Sequence, residues 1–297
     1  MAAPTDFTRT VRIVAVSDTH NDIPRPDQIP DGDIFIHAGD MTDDGTYTEL
    51  KAQYDWIAAL PHEVKVVIGG NHDLTLDPFH SKTTRENHFK AKNLFTSIEA
   101  QSNGIHYLDT EVRYITLRGG HKEGSKRPIT IPIYGNPHQP QWLATDYSFT
   151  YKPYPSPESE LPWENAPNRT QNVPIWVMHG GPQGRLDQIN IPPLQGCVVE
   201  AQKIYEARPL LCVYGHFHVA YGVEHVEYEH DKDVVKTATV ITKPEDPRYD
   251  FSKKSGKALK PGKETIFANV AWMTGLKRQV PERNKPVVID LELPYDH

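Results

Sequence analysis

The stretch that decides the fold runs from Val64 to Asp73 and reads Val-Lys-Val-Val-Ile-Gly-Gly-Asn-His-Asp. Its first half is a run of mostly β-branched residues, which predicts a short strand buried on both faces. The two glycines then stop the strand and allow a tight turn. An amide, an imidazole and a carboxylate follow at Asn71, His72 and Asp73. The sequence therefore predicts metal- or proton-competent groups at the carboxyl end of a buried strand, where open α/β sheets bind their ligands.

Composition limits the kinds of protein that this chain can be. Its 297 residues are predicted to form a single domain, 1–297, of ordinary globular character. The net charge of -7 argues against a nucleic-acid polymer as the partner, so an anionic substrate must be attracted locally, for instance by bound cations. Cys197 and Cys212 lack a Cys-x-x-Cys spacing, which favours reduced thiols and a cytoplasmic location. We expect neither a signal peptide nor a membrane helix.

The pattern on either side of the opening stretch is that of a parallel-cored sheet. Strands are predicted at Val11–Val16 and Asp33–Ala38, upstream of the strand at Val64–Ile68. Apolar residues at helical spacing predict a crossover helix over Thr46–Leu60, which Pro61 ends. Alternation of strand and helix favours an α/β fold.

The second half of the chain predicts a second sheet. After a helix at Thr83–Gln101, short strands with close turns predict antiparallel pairing at Ile105–Leu108, Val112–Leu117 and Ile129–Tyr134. A helix is predicted over Val198–Arg208. Further strands are predicted at Val173–Met178, Leu210–Tyr214, Thr265–Trp272 and Val287–Leu293.

Two segments interrupt this pattern. Residues 151–174 are rich in proline and polar groups, with Trp163 among them, and predict an irregular surface excursion that serves as a lid. Residues 224–263 predict an insertion, in which Val234–Ile241 forms a strand and the lysine-rich part after Pro244 is mobile.

Five predicted strand ends carry side chains that bind metals or transfer protons. They are Asp18 with His20, Asp40, Asn71 with His72, His179, and His216 with His218. On an extended backbone residues i and i+2 point the same way, so each Asp-x-His or His-x-His pair is expected to face one side. Carboxylate, amide and imidazole suit Mn, Fe or Zn. The two oxygens of Asp40 could bridge two ions ~3.5–4 Å apart, a clamp suited to phosphoryl transfer.

Each of these motifs has an ordinary structural explanation when it is taken alone. A Gly-Asp pair is usually a turn, and Gly-Asn-His-Asp can cap a loop through its own side chains. A single histidine such as His179 is more often a core or surface residue than a ligand. The occurrence of all five motifs in order, each at a strand end, argues against coincidence.

The ordered set resembles the calcineurin-like metallophosphoesterase superfamily over residues 11–275. The matching motifs are Asp18-Thr19-His20, Gly39-Asp40, Gly70-Asn71-His72-Asp73, His179-Gly180 and Gly215-His216-Phe217-His218. The chain is most similar to the metallophosphoesterase-domain-containing branch, through Gly32–Asp40, Tyr134–Pro137 and Gly196-Cys197. Some members of that branch lack the first histidine of Gly-His-x-His, whereas this chain keeps His216.

The resemblance implies a four-layer α/β/β/α sandwich of two mixed β-sheets and a centre of two divalent metal ions, of Mn, Fe or Zn. It assigns the first metal to Asp18, His20 and His218, the second to Asn71, His179 and His216, and the bridge to Asp40. His72 would contact the phosphate and protonate the leaving oxygen. Asp73 would orient His72 by accepting a hydrogen bond.

The resulting hypothesis is a dinuclear metal-dependent phosphoesterase in which a metal-bridging hydroxide attacks a small-molecule phosphodiester or phosphomonoester. Asn136, His138 and Arg185 are candidate substrate contacts. For His138 the general exposure of such loops favours an ordinary surface-loop histidine, and for Arg185 an ordinary surface salt bridge is equally open. One alternative is hydrolysis of a carboxylic ester or lactone by the same ions. Another is a metal-stabilised scaffold whose partners bind residues 224–263. The substrate, the metal pair and the oligomeric state stay open.

Overall fold

Two large β-sheets and four α-helices dominate the part of the chain that the structure describes. It is a computed structural model that describes residues 8–119, 127–141, 146–159, 161–189, 196–229, 234–275 and 281–295. The helices are α1 (Tyr47–Ala59), α2 (Arg85–Thr96), α3 (Ile98–Ser102) and α4 (Val198–Ala207). Within those ranges no helix is long and apolar enough to cross a membrane.

Fifteen strands are present in the described ranges. They are β1 (Thr8–Val16), β2 (Ile34–Ala38), β3 (Val64–Ile68), β4 (Ile105–Tyr107), β5 (Glu111–Leu117), β6 (Ile129–Asn136), β7 (Gln139–Pro140), β8 (Thr150–Tyr151), β9 (Ile175–Met178), β10 (Leu211–Tyr214), β11 (Gly222–Tyr228), β12 (Val235–Val240), β13 (Arg248–Phe251), β14 (Glu264–Asn269) and β15 (Val287–Pro294). The first sheet has the order β13-β15-β1-β2-β3-β4, and the second has the order β12-β11-β14-β10-β9-β6-β5. Strands β7 and β8 form a separate ribbon.

The two sheets pack face to face, with helices on their outer faces. A core of β-branched and leucine side chains from both sheets lies between them. A second cluster joins α1 and α2 to the outside of the first sheet, and a third joins α4 to the outside of the second. Both sheets contain parallel and antiparallel pairs. The predicted α/β/β/α sandwich of two mixed sheets is therefore confirmed.

The central strands are buried on both faces, which explains their continuous apolar sequences. In β1, Val11, Ile13 and Ala15 contribute to the core between the sheets. Val14 and Val16 point the other way, into the cluster beneath the helices. The same holds in β3, whose five residues are all buried and whose bounds coincide with the prediction. Because both faces of such a strand are buried, polar and apolar residues do not alternate along its sequence.

Two predictions about the region after β3 are wrong. The helix predicted over Thr83–Gln101 is two helices, because Ser97 adopts an extended conformation and accepts a hydrogen bond from the Ala100 N–H as the cap of α3. The strand predicted at Ile105–Leu108 does not belong to the second sheet. As β4 it pairs in parallel with β3 at the edge of the first sheet, since α2 and α3 return the chain there as a crossover. The antiparallel pair of β5 and β6 lies in the second sheet, as predicted.

Residues 224–229 and 234–263 contribute strands to both sheets, and that this segment is an insertion stays a prediction. Strand β11 pairs with β14 in the second sheet, and β13 pairs with β15 in the first. Tyr249 and Phe251 of β13 are buried in the core between the sheets. The predicted strand at Val234–Ile241 is found as β12, an edge strand with five of its six residues exposed. The polar composition of this segment therefore reflects strands with one exposed face.

The described part of the proline-rich excursion is irregular, as predicted, and is anchored at its centre. It contains short 3-10 turns, including Leu161–Trp163. Trp163 is fully buried in the outer core of the second sheet, and its indole N–H donates to the Tyr151 hydroxyl at 3.2 Å. Its role as a lid stays a prediction.

Candidate metal centre

The loops after β1, β2, β3, β9 and β10 bring the predicted ligands together at one end of the two sheets. Four contacts link side chains from different loops. They are His218 Nε2 to Asp18 Oδ1 at 3.2 Å, His20 Nε2 to Asp40 Oδ2 at 3.6 Å, His179 Nε2 to Asp40 Oδ1 at 3.4 Å, and His179 Nε2 to Asn71 Oδ1 at 2.9 Å. Both sheets thus contribute side chains to one cluster.

The cluster contains three overlapping groups of potential ligand atoms. Within each group the ligand atoms lie within 4.8 Å of one another. The first group is Asp18 with His20 and His218, the second is Asp40 with His179 and His216, and the third, His20 with Asp40 and His72, overlaps both. The Oδ2 atom of Asp40 faces His20 of the first group, while its Oδ1 atom faces His179 of the second. Carboxylates and imidazoles in this arrangement fit borderline divalent cations such as Mn, Fe and Zn.

The backbone that delivers these side chains is left-handed, which corrects the expectation of extended strand ends. Strand β1 ends at Val16. Beyond it, Asp18 and His20 have φ angles of 55° and 44°, and Asp40 and His216 have φ angles of 51° and 64°. Such conformations cost of order 1–2 kcal/mol each for residues other than glycine. They are stabilised by cross-links between the loops, such as the hydrogen bond from the His216 N–H to Asp18 Oδ2 at 2.9 Å.

Two glycines allow the carboxylates to approach the neighbouring loops. A Cβ atom on Gly70 would collide with the Asp40 backbone nitrogen and its Oδ1 atom. A Cβ atom on Gly215 would collide with Asp18 Oδ2 and with the Ser17 hydroxyl. The glycine of the Gly-His-x-His motif is therefore needed for space beside Asp18.

We expect Gly215→Ala to lower the metal content of the purified protein and to destabilise the fold by about 1–3 kcal/mol, because the added methyl displaces Asp18. Gly256→Ala is the control for metal content. A Cβ atom on Gly256 would meet no atom within 4 Å, so the metal content should equal wild type. Its left-handed φ of 71° should still destabilise the fold by about 1–2 kcal/mol. Elemental analysis and thermal unfolding measure both effects. Metal content equal to wild type in Gly215→Ala would contradict the close packing of Asp18.

Charges within the cluster shift the pKa values of its members in different directions. Burial by itself raises the pKa of Asp18, but the imidazole of His218 brings it down to about 2. Burial also opposes the charged form of His179, yet the adjacent Asp40 carboxylate raises the pKa of that imidazole to about 9. Burial lowers the pKa of His216 to about 3. At neutral pH, His216 is thus ready to bind a cation, whereas His179 must first lose a proton.

This difference predicts how metal affinity depends on pH. A cation that binds His179 displaces its proton, so this residue alone should contribute about a tenfold rise in affinity per pH unit between pH 6 and 8, below the raised pKa of about 9. In His179→Asn, which has no proton to lose, the slope should fall by about one. Titration of the metal-free protein with Mn²⁺ at several pH values measures both slopes. Equal slopes in the two proteins would contradict the protonated state of His179.

Backbone carbonyls hold the second nitrogen of two histidines. His179 Nδ1 donates to the Ala38 carbonyl at 2.9 Å, and His218 Nδ1 donates to the Gly275 carbonyl at 2.9 Å. A ring fixed in this way points its Nε2 atom into the cluster and is oriented as metal-binding histidines usually are.

The orientation of His72 differs from the prediction. Its Nδ1 atom donates to the backbone carbonyl of Asp43 at 2.7 Å. The carboxylate of Asp73 instead accepts from the backbone N–H groups of Gly70 and Thr42 at 2.9 and 3.0 Å, and so holds the two loops together. The role assigned to Asp73 is therefore wrong, because the turn directs its side chain back beneath its own loop. One ring nitrogen of His72 lies in a group with ligand atoms of His20 and Asp40.

Sequence reasoning missed two residues that support the site. The Oδ1 atom of Asp43 lies 3.2 Å from His20 Nδ1, so Asp43 contacts both His20 and His72. Asn269, at the end of β14, is fully buried and donates to the Phe217 carbonyl at 2.9 Å, which fixes the loop of the Gly-His-x-His motif. The contact of Asp43 with His72 is made by its backbone carbonyl, which every residue carries, so the sequence could not indicate it.

The three candidate substrate contacts have protein partners. The Asn136 amide donates to the Tyr134 hydroxyl and accepts from the His138 N–H, each at 3.0 Å. The ring of His138 bonds Asn136 through Nδ1, and burial lowers its pKa. Arg185 forms a salt bridge with Glu224 at 3.1 Å. Arg185 thus forms a salt bridge, although a largely buried one and not the predicted surface pair, and contact of these residues with a substrate stays a prediction.

The fold and the side-chain cluster together define a class of α/β/β/α proteins with a candidate metal centre at one end of the sheets. The model of the calcineurin-like phosphoesterase family matches residues 11–220, so the chain belongs to that family. All seven predicted metal ligands lie within the matched residues.

Several curated proteins are similar to this chain. It is 36% identical over 216 residues to Probable rhamnogalacturonate lyase C of Emericella nidulans, which covers 72% of this chain and 18% of that protein. It is 34% identical over 230 residues to metallophosphoesterase domain-containing protein 1 of Homo sapiens, which covers 71% and 62% of the two chains. A third relative, UPF0046 protein K07C11.7 of Caenorhabditis elegans, is 30% identical over 220 residues, covering 74% and 68%. The match therefore spans less than two thirds of the first two relatives.

Proposed function

We propose that this protein is a dinuclear metal-dependent phosphoesterase. The observation that supports the proposal best is the position of Asp40, whose two oxygens face histidines of two separate groups at 3.6 and 3.4 Å. A buried carboxylate with one oxygen toward each group has the geometry that a bridging ligand needs. Its side chain is only 2% exposed, so a bound cation would also compensate the cost of burying the charge.

The ligand sets follow from the grouping. Asp18, His20 and His218 would hold one cation, and His179, His216 and Asn71 would hold the other, with Asp40 shared. Asn71 fits the second set because its Oδ1 atom lies against His179 Nε2. Carboxylate, amide and imidazole ligands favour Mn, Fe or Zn as the bound metals.

The reaction combines charge neutralisation with proton transfer. Two bound divalent cations would polarise the phosphoryl group and supply an activated water near neutral pH. His72 holds its Nδ1 proton on the Asp43 carbonyl, which leaves Nε2 as the nitrogen free to transfer a proton. One nitrogen of the ring lies within 4.8 Å of ligand atoms of His20 and Asp40. From this position a protonated His72 would give its Nε2 proton to the leaving oxygen. The Asp43 carbonyl accepts from Nδ1 and so orients the ring, while the Nε2 proton stays available for transfer.

We propose a small-molecule phosphodiester as the substrate and a phosphomonoester as the second choice. The family supports phosphoester chemistry, and the net charge of -7 disfavours a polyanionic polymer. The name of the Emericella relative does not extend to this chain, since the match covers only 18% of that protein. A cytoplasmic location is also proposed, on the ground that Cys197 and Cys212 are both unpaired and buried.

The test is turnover of bis-p-nitrophenyl phosphate and p-nitrophenyl phosphate by the chain loaded with Mn²⁺, with the chelated protein as control. We expect metal-dependent hydrolysis of at least one, and faster turnover of the diester. Full metal occupancy without turnover on a wide phosphoester panel would overturn the proposal and favour a carboxylic ester or lactone as substrate. A scaffold whose partners bind residues 224–263 stays the second alternative, and two bound metals without any hydrolytic activity would favour it.

A further inference from the structure

An aromatic side chain that is not among the proposed metal ligands lies against His72. The ring of Tyr147 has its centroid 4.8 Å from that of His72, at an interplanar angle of 47°. The ring of His20 also lies 4.8 Å from that of His72, in an edge arrangement. His72 thus contacts both a proposed metal ligand and a half-buried tyrosine.

The position of Tyr147 is fixed by the residues that follow it. The Ser148 N–H donates to the Asn71 carbonyl at 3.1 Å, which ties this segment to the loop of His72. The Phe149 N–H donates to Asp77 Oδ2 at 2.8 Å. The ring of Phe149 packs so closely on Gly69 that a Cβ atom there would come within 2.6 Å. Phe149 also has a left-handed φ of 52°, a strained conformation that surrounding contacts must hold in place.

Tyr147 is therefore positioned by the backbone of the residues that follow it and not by a hydrogen bond of its own side chain. Within the described ranges its hydroxyl makes no hydrogen bond, and its ring has His72 as its aromatic neighbour. The half-exposed ring of Tyr147 therefore offers a flat apolar surface beside the proposed proton donor, against which the protonated group of a substrate can pack.

We infer that Tyr147 determines specificity by packing against the leaving group of the phosphoester. The inference rests on the proposed function, in which His72 protonates the leaving oxygen and the group bound to that oxygen must therefore lie beside His72. A flat face favours an alcohol that carries a planar ring, such as a phenol or a nucleoside, over a small alkyl alcohol. The substrate class is thereby narrowed to aryl or nucleoside phosphoesters.

The test compares Tyr147→Ala and Tyr147→Phe, both loaded with Mn²⁺, in the hydrolysis of bis-p-nitrophenyl phosphate. Loss of the ring should lower kcat/KM by about 10- to 100-fold, and phenylalanine should recover most of this loss. Inhibition by inorganic phosphate serves as the internal reference, because phosphate has no leaving group. Its inhibition constant, the metal content and the melting temperature should all match wild type. Tyr114→Ala, which removes an exposed tyrosine of β5, is the control.

Each outcome bears on one hypothesis. If wild type turns over no phosphoester, the proposed function fails before the variants are compared. If wild type is active and Tyr147→Ala keeps its kcat/KM, Tyr147 does not contact the leaving group. If phosphate inhibition weakens in parallel with kcat/KM, the tyrosine supports the site as a whole, and the specificity role is overturned.

Discussion

Replacement of Asp40 by alanine is expected to reduce kcat by about 1000-fold or more. The carboxylate faces both groups of ligand atoms, so its loss removes a charge from each proposed metal site at once. Removal of a single preorganised electrostatic group in an active site costs about 100- to 1000-fold in rate. The loss of a shared ligand should lie at or beyond the upper end of that range. Asp40 Oδ1 also accepts from the His72 N–H at 2.7 Å, so the proton donor would shift as well.

The measurement pairs steady-state kinetics with elemental analysis of the purified variant. We expect fewer than two metal ions per chain in Asp40→Ala. Asp55→Ala is the matched control, because Asp55 is an exposed carboxylate paired with Lys51 on α1. It should retain wild-type rate and metal content. An Asp40→Ala protein with two metals and undiminished kcat would eliminate the bridging role.

The second large effect is expected at His72. His72→Ala should retain its metal ions and lose about 100- to 10,000-fold in kcat on esters whose leaving alcohol is a weak acid. The loss should be much smaller on p-nitrophenyl esters, because p-nitrophenolate departs without being protonated. This dependence on the leaving group separates a proton donor from a residue that only shapes the site.

Phenyl and p-nitrophenyl esters, measured side by side, provide the comparison. His225→Ala is the control, since His225 lies on β11 and pairs with Glu264. An equal loss on both esters, accompanied by loss of metal, would make His72 a metal ligand. A metal-ligand role is the alternative to consider for His72, because one of its ring nitrogens lies in a group with ligand atoms of His20 and Asp40.

The sequence predicted the strands that position the site because their signal is local. Strand β3 has the predicted bounds, and each of the clustered side chains follows the strand that was predicted to precede it. Burial on both faces forces continuous apolar runs, and the polar residues directly after them stand out. The convergence of Asp18, His179 and His216 could be expected from these strand ends and from the family resemblance.

The features that were missed depend on contacts between distant segments. Strand β4 was assigned to the wrong sheet because a three-residue strand carries no information about its neighbour. The left-handed backbone at Asp18 and Asp40 is stabilised by bonds between loops, and no local residue preference indicates it. Asp43 orients His72 through a carbonyl oxygen that any residue would provide. The pairing of Arg185 with Glu224 joins positions 39 residues apart.

The central claim is that side chains from five loops hold two cations with Asp40 between them. Crystals grown with Mn²⁺ and measured at the manganese absorption edge test this most directly. The account predicts two anomalous peaks ~3.5–4 Å apart, one beside Asp18, His20 and His218 and the other beside His179 and His216, with an Asp40 oxygen on each. A single peak, or peaks away from Asp40, would contradict it.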